Sequence, residues 1–306
     1  MSNFFCYICN SKLSFSFRGK DYLYGITNKQ FKIYTCPRCN LKITEPFVNN
    51  KEMQQYYPIN YYSYNSNSRY SNLKLLKRTI IKNIYDKEPK LSIIKKIFFS
   101  IINLFNLEMY FGIPLKNNAG RRFLDIGCGD GEIVNIMSEC GWNSYGFEID
   151  NIYSYKNKIY KDTDFPKIHL INKFDCIRIW SVFEHVTNPL DYLLKIKSSL
   201  TNKGVVYICF PNSSSFNAKL FKKYWFGLDI PRHQYHYNYN NINLLLKKTG
   251  FVIIKHAYWD NNFLNSLSYL IKSISGLNIK FPLLISLFIS IFYSKDTLVL
   301  KLTKQT

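Results

Sequence analysis

The clearest change in the pattern of apolar and polar positions lies in the stretch RRFLDIGCGDGEIVNIM, residues 121 to 137. An apolar run that ends at Ile126 predicts a buried strand, and apolar residues from Ile133 to Met137 recur at helical spacing. The turn between them carries Gly127, Gly129 and Gly131. Glycines at such a turn let the backbone bend sharply and approach a ligand closely. The pattern therefore predicts a nucleotide-like ligand at this turn.

Two acidic residues beside the turn indicate which ligand it is. The spacing is G-x-G-x-G rather than the G-x-G-x-x-G of dinucleotide sites, and Asp125 stands two residues before the first glycine. A carboxylate there would repel a pyrophosphate, whereas it suits the amine and sulfonium of S-adenosylmethionine. A second short strand ends at Glu148, where a parallel neighbour strand would bring a carboxylate to ribose hydroxyls. We therefore predict an S-adenosylmethionine site that also includes Cys128 of the glycine turn.

Six stretches in a fixed order resemble one enzyme family. They are FLDIGCGDG, GWNSYGFEID, FDCIRIWSVFEHVTNPLDYLLKIKSSL, GVVYICFPN, WFGLDIPRHQYHY and LLLKKTGF. Residues 121 to 259 thereby resemble a class I S-adenosylmethionine-dependent methyltransferase of the type found in sugar and polysaccharide biosynthesis. The resemblance implies an α/β, Rossmann-like fold: a seven-stranded, mostly parallel sheet with helices on both faces and the cofactor at the strand ends.

The cysteines near the start of the chain predict a metal site. Two C-x-x-C pairs, CYIC and CPRC, are formed by Cys6, Cys9, Cys36 and Cys39. The opening MSNFFCYICN lacks a basic start and an apolar run, so we expect a cytoplasmic protein with reduced thiols. In that compartment the pairs predict a structural Zn²⁺ with four thiolate ligands in a small ribbon. The remaining cysteines (Cys128, Cys140, Cys176 and Cys209) are expected to pack in the core.

The chain divides into three predicted parts. A zinc ribbon occupies residues 1–48, a linker with cap helices occupies 49–118, and the methyltransferase domain occupies 119–306 with a helical insertion at about 260–295. The apolar run FPLLISLFISIFY within that insertion is too short for a membrane span. One cap helix, LSIIKKIFFSIINLF, either covers the sheet or the substrate cleft, or lies on lipid.

The net charge is strongly basic. Lys and Arg number 41 and Asp and Glu number 20, which leaves +21. Such a charge suits an anionic partner, either nucleic acid or the inner face of an anionic membrane touched peripherally. A genome whose codons favour Lys, Asn, Ile and Tyr explains the same excess without a partner.

The loop after the strand FDCIRIW is the first candidate for the chemistry. The strand ends at Trp180 and Ser181, beside the cofactor if the strand order follows the family, and the loop continues with Glu184 and His185. Enzymes of this fold that methylate amide or nucleobase nitrogens commonly carry Asp/Asn-Pro-Pro-Tyr/Phe at this place. Its absence argues for a hydroxyl acceptor. Glu184 is predicted to bind the acceptor, and His185 either accepts the proton of the hydroxyl or braces the loop.

A second polar loop, GLDIPRHQYHY, is predicted to reach the same end of the sheet. It carries Asp229, Arg232, His233 and His236. We predict His233 as the favoured general base, with the other residues binding a hydroxyl-rich or phosphorylated acceptor. A purely structural loop is the main alternative, and a metal site there would need a carboxylate beyond Asp229.

The predicted reaction is methyl transfer to a sugar hydroxyl, in a surface polysaccharide or a lipid-linked glycan precursor. An RNA methyltransferase, with the ribbon and basic surface on RNA, is the first alternative, and an inactive scaffold of the same fold is the second. The segment between Glu148 and Phe174 is short for this family. Asp162 is the candidate there for the contact to the adenine amine.

Overall fold

The computed structural model describes residues 5–58, 71–85, 106–115, 121–148, 159–161, 173–259, 263–276 and 295–305. Within these ranges the chain forms one large α/β sheet and one small antiparallel sheet. The predicted helix at 91–105, the apolar run at 281–293 and Asp162 lie outside the described residues.

The strands and helices alternate along most of residues 122–304. The strands are β1 (Ser14–Gly19), β2 (Phe31–Thr35), β3 (Lys42–Glu45), β4 (Arg122–Ile126), β5 (Asn143–Glu148), β6 (Ile159–Lys161), β7 (Phe174–Trp180), β8 (Leu200–Pro211), β9 (Tyr235–His236), β10 (Phe251–Trp259) and β11 (Thr297–Lys304). The α-helices are α1 (Asn50–Met53), α2 (Ser71–Tyr85), α3 (Leu107–Phe111), α4 (Glu132–Glu139), α5 (Pro189–Ser199), α6 (Phe216–Phe221), α7 (Tyr239–Lys248) and α8 (Phe263–Ser275). Helix α8 lies in the predicted helical insertion.

The large sheet has the strand order β10-β11-β8-β7-β4-β5-β6. Pairing is parallel from β8 through β7, β4 and β5 to β6, and β11 is antiparallel to both of its neighbours. The α/β Rossmann-like class is confirmed, and the last two strands, β10 and β11, pair with each other. Because parallel strands end at one edge, the loops after β4, β5 and β7 converge there.

Helices cover both faces of this sheet, which explains why its central strands are apolar without alternation. On one face Phe123 of β4 packs with apolar residues of α2, α3 and α4. On the other face Leu124 packs with α5 and α7. The ribbon packs on this second face, where Ile8 and Ile43 join the same core.

The small sheet has the order β1-β2-β3-β9, so the three ribbon strands are joined by β9, which comes much later in the chain. Ile43 pairs with Tyr235, and Lys42 pairs with His236. A hydrogen bond of 2.9 Å between the hydroxyls of Tyr7 and Tyr237 adds a second tie. The ribbon is therefore continuous with the loop that carries His233.

Helix α2 lies against α4 through complementary charges. Lys77 donates to Glu132 at 2.6 Å, Lys82 lies 2.9 Å from Glu139, and Lys74 donates to Asp130 of the glycine turn. These side chains are partly exposed, so each pair contributes about 1 kcal/mol or less. Among the described residues, no helix combines the length and apolarity that crossing a bilayer requires.

Candidate active site

The glycine turn after β4 is folded against the end of β5. The backbone N–H groups of Gly127 and Cys128 both donate to the carbonyl of Phe147, at 2.7 and 3.1 Å. Gly127 has φ of +70°, and a Cβ there would lie 2.2 Å from Cγ2 of Val182. Only glycine fits, because the turn is pressed between β5 and the loop that follows β7.

The acid at the end of β5 meets this turn directly. The N–H of Gly129 donates to Oε2 of Glu148 at 2.8 Å. Gly129 has φ of +54°, and Gly131, with φ of +72°, begins helix α4. The structure thus brings the glycines and Glu148 together, in the arrangement that the spacing predicted for the cofactor.

Asp125 lies in a different environment from the one expected. It is 1% exposed, and Nη1 of Arg178, on the adjacent strand β7, donates to its Oδ1 at 2.9 Å. Burial raises the pKa of Asp125, and the Arg178 charge opposes that rise. The charge expected to meet the cofactor is therefore already paired inside the sheet. Arg178 was not among the predicted site residues, although a lone arginine in the apolar strand FDCIRIW is a signal of a buried acidic partner.

The end of β7 is held by the same arginine. The guanidinium of Arg178 lies 4.4 Å above the ring of Trp180, and its Nε donates to the carbonyl of Phe111 at 2.9 Å. Ser181 then takes φ of +54°, and its N–H donates to the carbonyl of Cys209 at 2.9 Å. This sharp turn directs the following loop over the strand ends, next to the glycine turn.

That loop and the second polar loop meet in one cluster of side chains, the Glu184–His185–His233 cluster. The rings of His185 and His233 are 4.6 Å apart between centroids, in an edge-to-face arrangement. Nε2 of His233 lies 3.8 Å from Oε1 of Glu184 and 3.8 Å from Oδ2 of Asp229. The two rival bases predicted from the sequence are therefore neighbours in one site.

Backbone carbonyls fix the protonation of both imidazoles. The carbonyl of Arg232 accepts from Nδ1 of His185 at 2.9 Å, and the carbonyl of Gly227 accepts from Nδ1 of His233 at 2.9 Å. A carbonyl can only accept, so each Nδ1 carries the hydrogen and each Nε2 presents a lone pair when the ring is neutral. Burial lowers the pKa of both histidines, that of His185 well below its ordinary value. Both rings are thus neutral at pH 7.

Glu184 is the most isolated polar group of the cluster. It is 2% exposed, and neither carboxyl oxygen has a hydrogen-bond partner among the described residues. Burial raises the pKa of Glu184 to about 8, and the nearby Asp229 adds to the rise. Nε2 of His233 has no partner among the described residues either. Unpaired buried groups of this kind are costly and mark places where a further ligand binds.

Arg232 lies beneath this cluster and is fully buried. It donates to Asp229 at 2.9 and 2.6 Å, to Asp21 of the ribbon at 3.2 and 2.7 Å, and to the carbonyl of Tyr56 at 2.8 Å. We predicted that Arg232 and Asp229 bind the acceptor. The structure instead uses the guanidinium to tie the ribbon, the linker and the polar loop together.

His236 is likewise part of the ribbon sheet. Its Nε2 lies 3.0 Å from Oγ1 of Thr44, and that hydroxyl donates to the carbonyl of His233 at 2.9 Å. Burial lowers the pKa of His236 well below its ordinary value. A second contact from the linker reaches the cluster, since the Tyr57 hydroxyl is 3.1 Å from Nδ1 of His185. Asp21, Thr44 and Tyr57 were not among the predicted site residues, and no motif singles out Asp21 or Thr44.

The four N-terminal cysteines converge as the spacing predicted. The sulfurs of Cys6 and Cys39 are 3.6 Å apart, those of Cys9 and Cys36 are 3.3 Å apart, and all four lie within 4.8 Å of one another. Four sulfurs around one Zn²⁺ at about 2.3 Å would be about 3.8 Å apart.

The two cysteine turns have matching backbones. Asn10 and Asn40 have φ of 55° and 58°, and their N–H groups donate to the carbonyls of Cys6 and Cys36. Both turns thus aim two sulfurs at one point, and the donor set fits a tetrahedral metal.

Comparison with known proteins assigns the large sheet to a class. Residues 106–256 match the family model described as a methyltransferase domain. These residues, just under half of the chain, thus resemble a methyltransferase domain, and the match supports the S-adenosylmethionine-dependent methyltransferase class predicted from the sequence.

Individual relatives are distant. The ubiquinone biosynthesis O-methyltransferase of Haemophilus ducreyi is 27% identical over 128 residues, which is 36% of this chain. The chain spans about half the length of this curated relative, 54%. A methyltransferase structure from Archaeoglobus fulgidus has a TM-score of 0.46 at 19% identity and covers 66% of this chain and 93% of its own. The magnesium protoporphyrin IX methyltransferase of Synechocystis, with bound S-adenosylhomocysteine, has a TM-score of 0.42 at 15% identity and covers 78% and 97%.

Proposed function

We propose that this protein methylates a hydroxyl group of a sugar, in a surface polysaccharide or its lipid-linked precursor. The observation that carries the proposal is the Glu184–His185–His233 cluster. It contains two neutral imidazoles, each with an Nε2 lone pair: His185, three residues after the Val182 that lies against Gly127, and His233, whose ring is 4.6 Å from that of His185. A hydroxyl held there would lie beside the cofactor turn and within reach of a proton acceptor.

The residues divide the work between cofactor and acceptor. The glycine turn and Glu148 would hold S-adenosylmethionine, which supplies a methyl group already activated on a sulfonium. Holding a nucleophile in line contributes about 7–11 kcal/mol in well-oriented systems, and a positioned base adds about 10²–10⁴-fold in rate. His233 is the favoured base, because its Nε2 lone pair is buried and unpaired while its Nδ1–H is fixed.

Oxygen as the accepting atom is supported by two features. The loop after β7 reads SVFEHV and lacks the Asp/Asn-Pro-Pro-Tyr/Phe pattern typical of amine methylation. The curated relative is named as an O-methyltransferase. The sugar itself rests on the resemblance of residues 121 to 259 to methyltransferases of polysaccharide biosynthesis.

We also propose that Cys6, Cys9, Cys36 and Cys39 bind one structural Zn²⁺. The support is the convergence of four sulfurs on two matching turns and the small core of the ribbon. Metal binding would supply about 10–16 kcal/mol of folding free energy in a module of this kind.

A transfer assay with radiolabelled S-adenosylmethionine tests the reaction. The acceptors are an extracted glycan or glycolipid fraction, a phenolic quinone precursor and total RNA. The proposal predicts label in the glycan fraction, in a linkage that resists the mild base that cleaves esters. Label in the phenol alone would refute the sugar, label in RNA alone would favour the RNA methyltransferase, and no transfer despite cofactor binding would favour the inactive scaffold.

A further inference from the structure

The Glu184–His185–His233 cluster brings a buried carboxyl group and two imidazole rings together, with no hydrogen bond between Glu184 and His233. Oε1 of Glu184 and Nε2 of His233 are 3.8 Å apart, and each lacks a hydrogen-bond partner among the described residues. One ligand atom from each of the three residues lies within 4.8 Å of the others. A shared proton joins two atoms only when they are about 2.5–3.2 Å apart. Three converging acceptors at this larger spacing match a cation better than a proton.

The hydrogen bonds behind the cluster have the form that metal sites use. A histidine that binds a metal through one nitrogen usually donates its other N–H to a carbonyl or carboxylate, which fixes the ring. Both histidines do so here, toward the carbonyls of Arg232 and Gly227. Those carbonyls belong to the loop that Arg232 ties to Asp21 and Tyr56, so the ring orientations are set by buried structure.

We propose that Glu184, His185 and His233 bind a divalent first-row transition-metal ion. Two imidazoles and one carboxylate form a set that suits Zn²⁺ or Fe²⁺ and leaves coordination positions open. Ligand atoms at about 2.0–2.2 Å from one ion lie about 3.0–3.5 Å apart. Glu184 and His233 are 3.8 Å apart and the whole set lies within 4.8 Å, so the side chains would move inward on binding the ion. Asp229, whose Oδ2 is also 3.8 Å from Nε2 of His233, stands next to the set.

The sequence pattern did not predict this site, because its ligands lie on two loops far apart in the chain. The polar loop alone offers Asp229, whose Oδ1 is occupied by Arg232. The fold supplies Glu184 from the other loop and so provides the missing carboxylate.

The role of the ion rests on the proposed function, whereas its binding does not. A bound divalent ion lowers the pKa of a hydroxyl that occupies its open position. The acceptor's O–H bond then breaks with its proton leaving to water, the oxygen forms the new bond to the methyl carbon, and the carbon–sulfur bond breaks to leave S-adenosylhomocysteine. In this state His233 serves as a ligand, since the ion takes the lone pair that a base would use.

Metal titration of the full chain, with the cysteine site loaded with zinc, tests the site. Mn²⁺ is the first probe, because it prefers nitrogen and oxygen ligands to thiolates and is counted by electron paramagnetic resonance. We expect one Mn²⁺ per chain beyond the zinc. Glu184→Gln and His233→Ala should each weaken Mn²⁺ binding at least tenfold. His256→Ala, at an exposed histidine on β10, is the matched control and should bind as the wild type does.

Two results would overturn the metal site. One is no uptake of Mn²⁺, or of added Zn²⁺, beyond the cysteine site. The other is equal uptake by the wild type and Glu184→Gln, whose similar volume keeps the fold comparable. Methyl transfer to a hydroxyl that continues without metal at this cluster would overturn the role of the ion in transfer and leave the proposed function intact. Metal uptake without any methyl transfer would keep the ion and contradict the proposed function.

Discussion

The proposed cofactor side and the proposed acceptor side of this site are built in opposite ways. The cofactor side comes from one continuous stretch, residues 121–148, in which a strand, a glycine turn, a helix and a second strand contact one another. The acceptor side is assembled from separate stretches that only the tertiary fold unites. Five separate stretches meet around Arg232 and His233. They are Asp21 and Thr44 of the ribbon, Tyr56 of the linker, the loop after β7 and the turn at residues 226–228.

The two sides also differ in how far they depend on contacts with the ribbon. The glycine turn is held by Phe147 and Glu148, both from the large sheet, and by none of the ribbon residues described. The carbonyl of His233, by contrast, accepts from Thr44, and Arg232 is paired with Asp21. Damage to the ribbon should therefore impair acceptor binding while cofactor binding persists.

Loss of the proposed cysteine-bound metal should have the largest effect. Cys36→Ser, or chelation, would remove folding free energy of about 10–16 kcal/mol from the ribbon. We expect the ribbon sheet to unfold first and methyl transfer to fall to background, while affinity for S-adenosylhomocysteine changes by less than about threefold. Hydrogen exchange by segment, together with calorimetry, measures the two sides separately.

The control for this change is Cys140→Ser, which alters a buried cysteine of the core on the cofactor side. It should keep one zinc per chain and leave the ribbon protected from exchange. Full metal occupancy in Cys36→Ser would refute the four-thiolate site. Equal loss of cofactor binding and transfer after chelation would contradict the separation of the two sides.

Breaking the buried ion pairs beneath the cluster should have the next largest effect. Arg232→Met leaves Asp21 and Asp229 buried without a cation, which costs about 3–5 kcal/mol in the free energy of unfolding. The expected result is a lower urea midpoint and weak transfer, with nearly normal cofactor affinity at temperatures where the protein stays folded.

The exposed Arg38 of the ribbon provides the comparison for that variant. Arg38→Met should stay within about 0.5 kcal/mol of the wild type. If Arg232→Met proves as stable as Arg38→Met, the ion pairs of Arg232 with Asp21 and Asp229 do not hold the ribbon and the polar loop together. Urea unfolding curves of both variants decide the point.

Asp125→Ala should have a smaller effect, confined to the cofactor side. A direct contact to S-adenosylmethionine, as predicted from the sequence, would make the loss of affinity more than about tenfold, whereas the pairing with Arg178 seen in the structure predicts a smaller loss. The change also leaves Arg178 buried without its partner, so stability falls as well. Calorimetric titration of Asp125→Ala and of the double variant Asp125→Ala/Arg178→Met separates these effects. Recovery of affinity in the double variant would show that Asp125 only pairs with Arg178.

Residues whose partners lie close in the chain could be predicted from the sequence, and residues whose partners lie in distant segments could not. The glycine turn, Glu148 and the convergence of the four cysteines could be predicted because their partners lie close in the chain or share a fixed spacing. The inward place of Asp125 could not be read from the motif, because it depends on the register that puts Arg178 beside it. Arg232 looked like an acceptor ligand for a similar reason, since its partner Asp21 lies in another module.

The contact between the two histidines could not be predicted from any local sequence pattern. His185 follows β7 and His233 precedes β9, and the sequence presents them as rivals on separate loops. Hydrogen bonds between the two loops, from Gln234 N–H to the carbonyl of Glu184 and from His185 Nδ1 to the carbonyl of Arg232, accompany the 4.6 Å approach of the rings. The structure replaces two alternatives with one shared site.

The most direct test of the central claim is the single-turnover rate of methyl transfer to the glycan fraction by His233→Ala, with His256→Ala as control. A residue of the reacting site, changed to alanine, should slow transfer at least about 10²-fold and leave cofactor affinity nearly unchanged. We predict that result for His233→Ala, a similar loss for His185→Ala, and a wild-type rate for His256→Ala. Unchanged rates in both cluster variants would contradict the claim that the Glu184–His185–His233 cluster receives the acceptor.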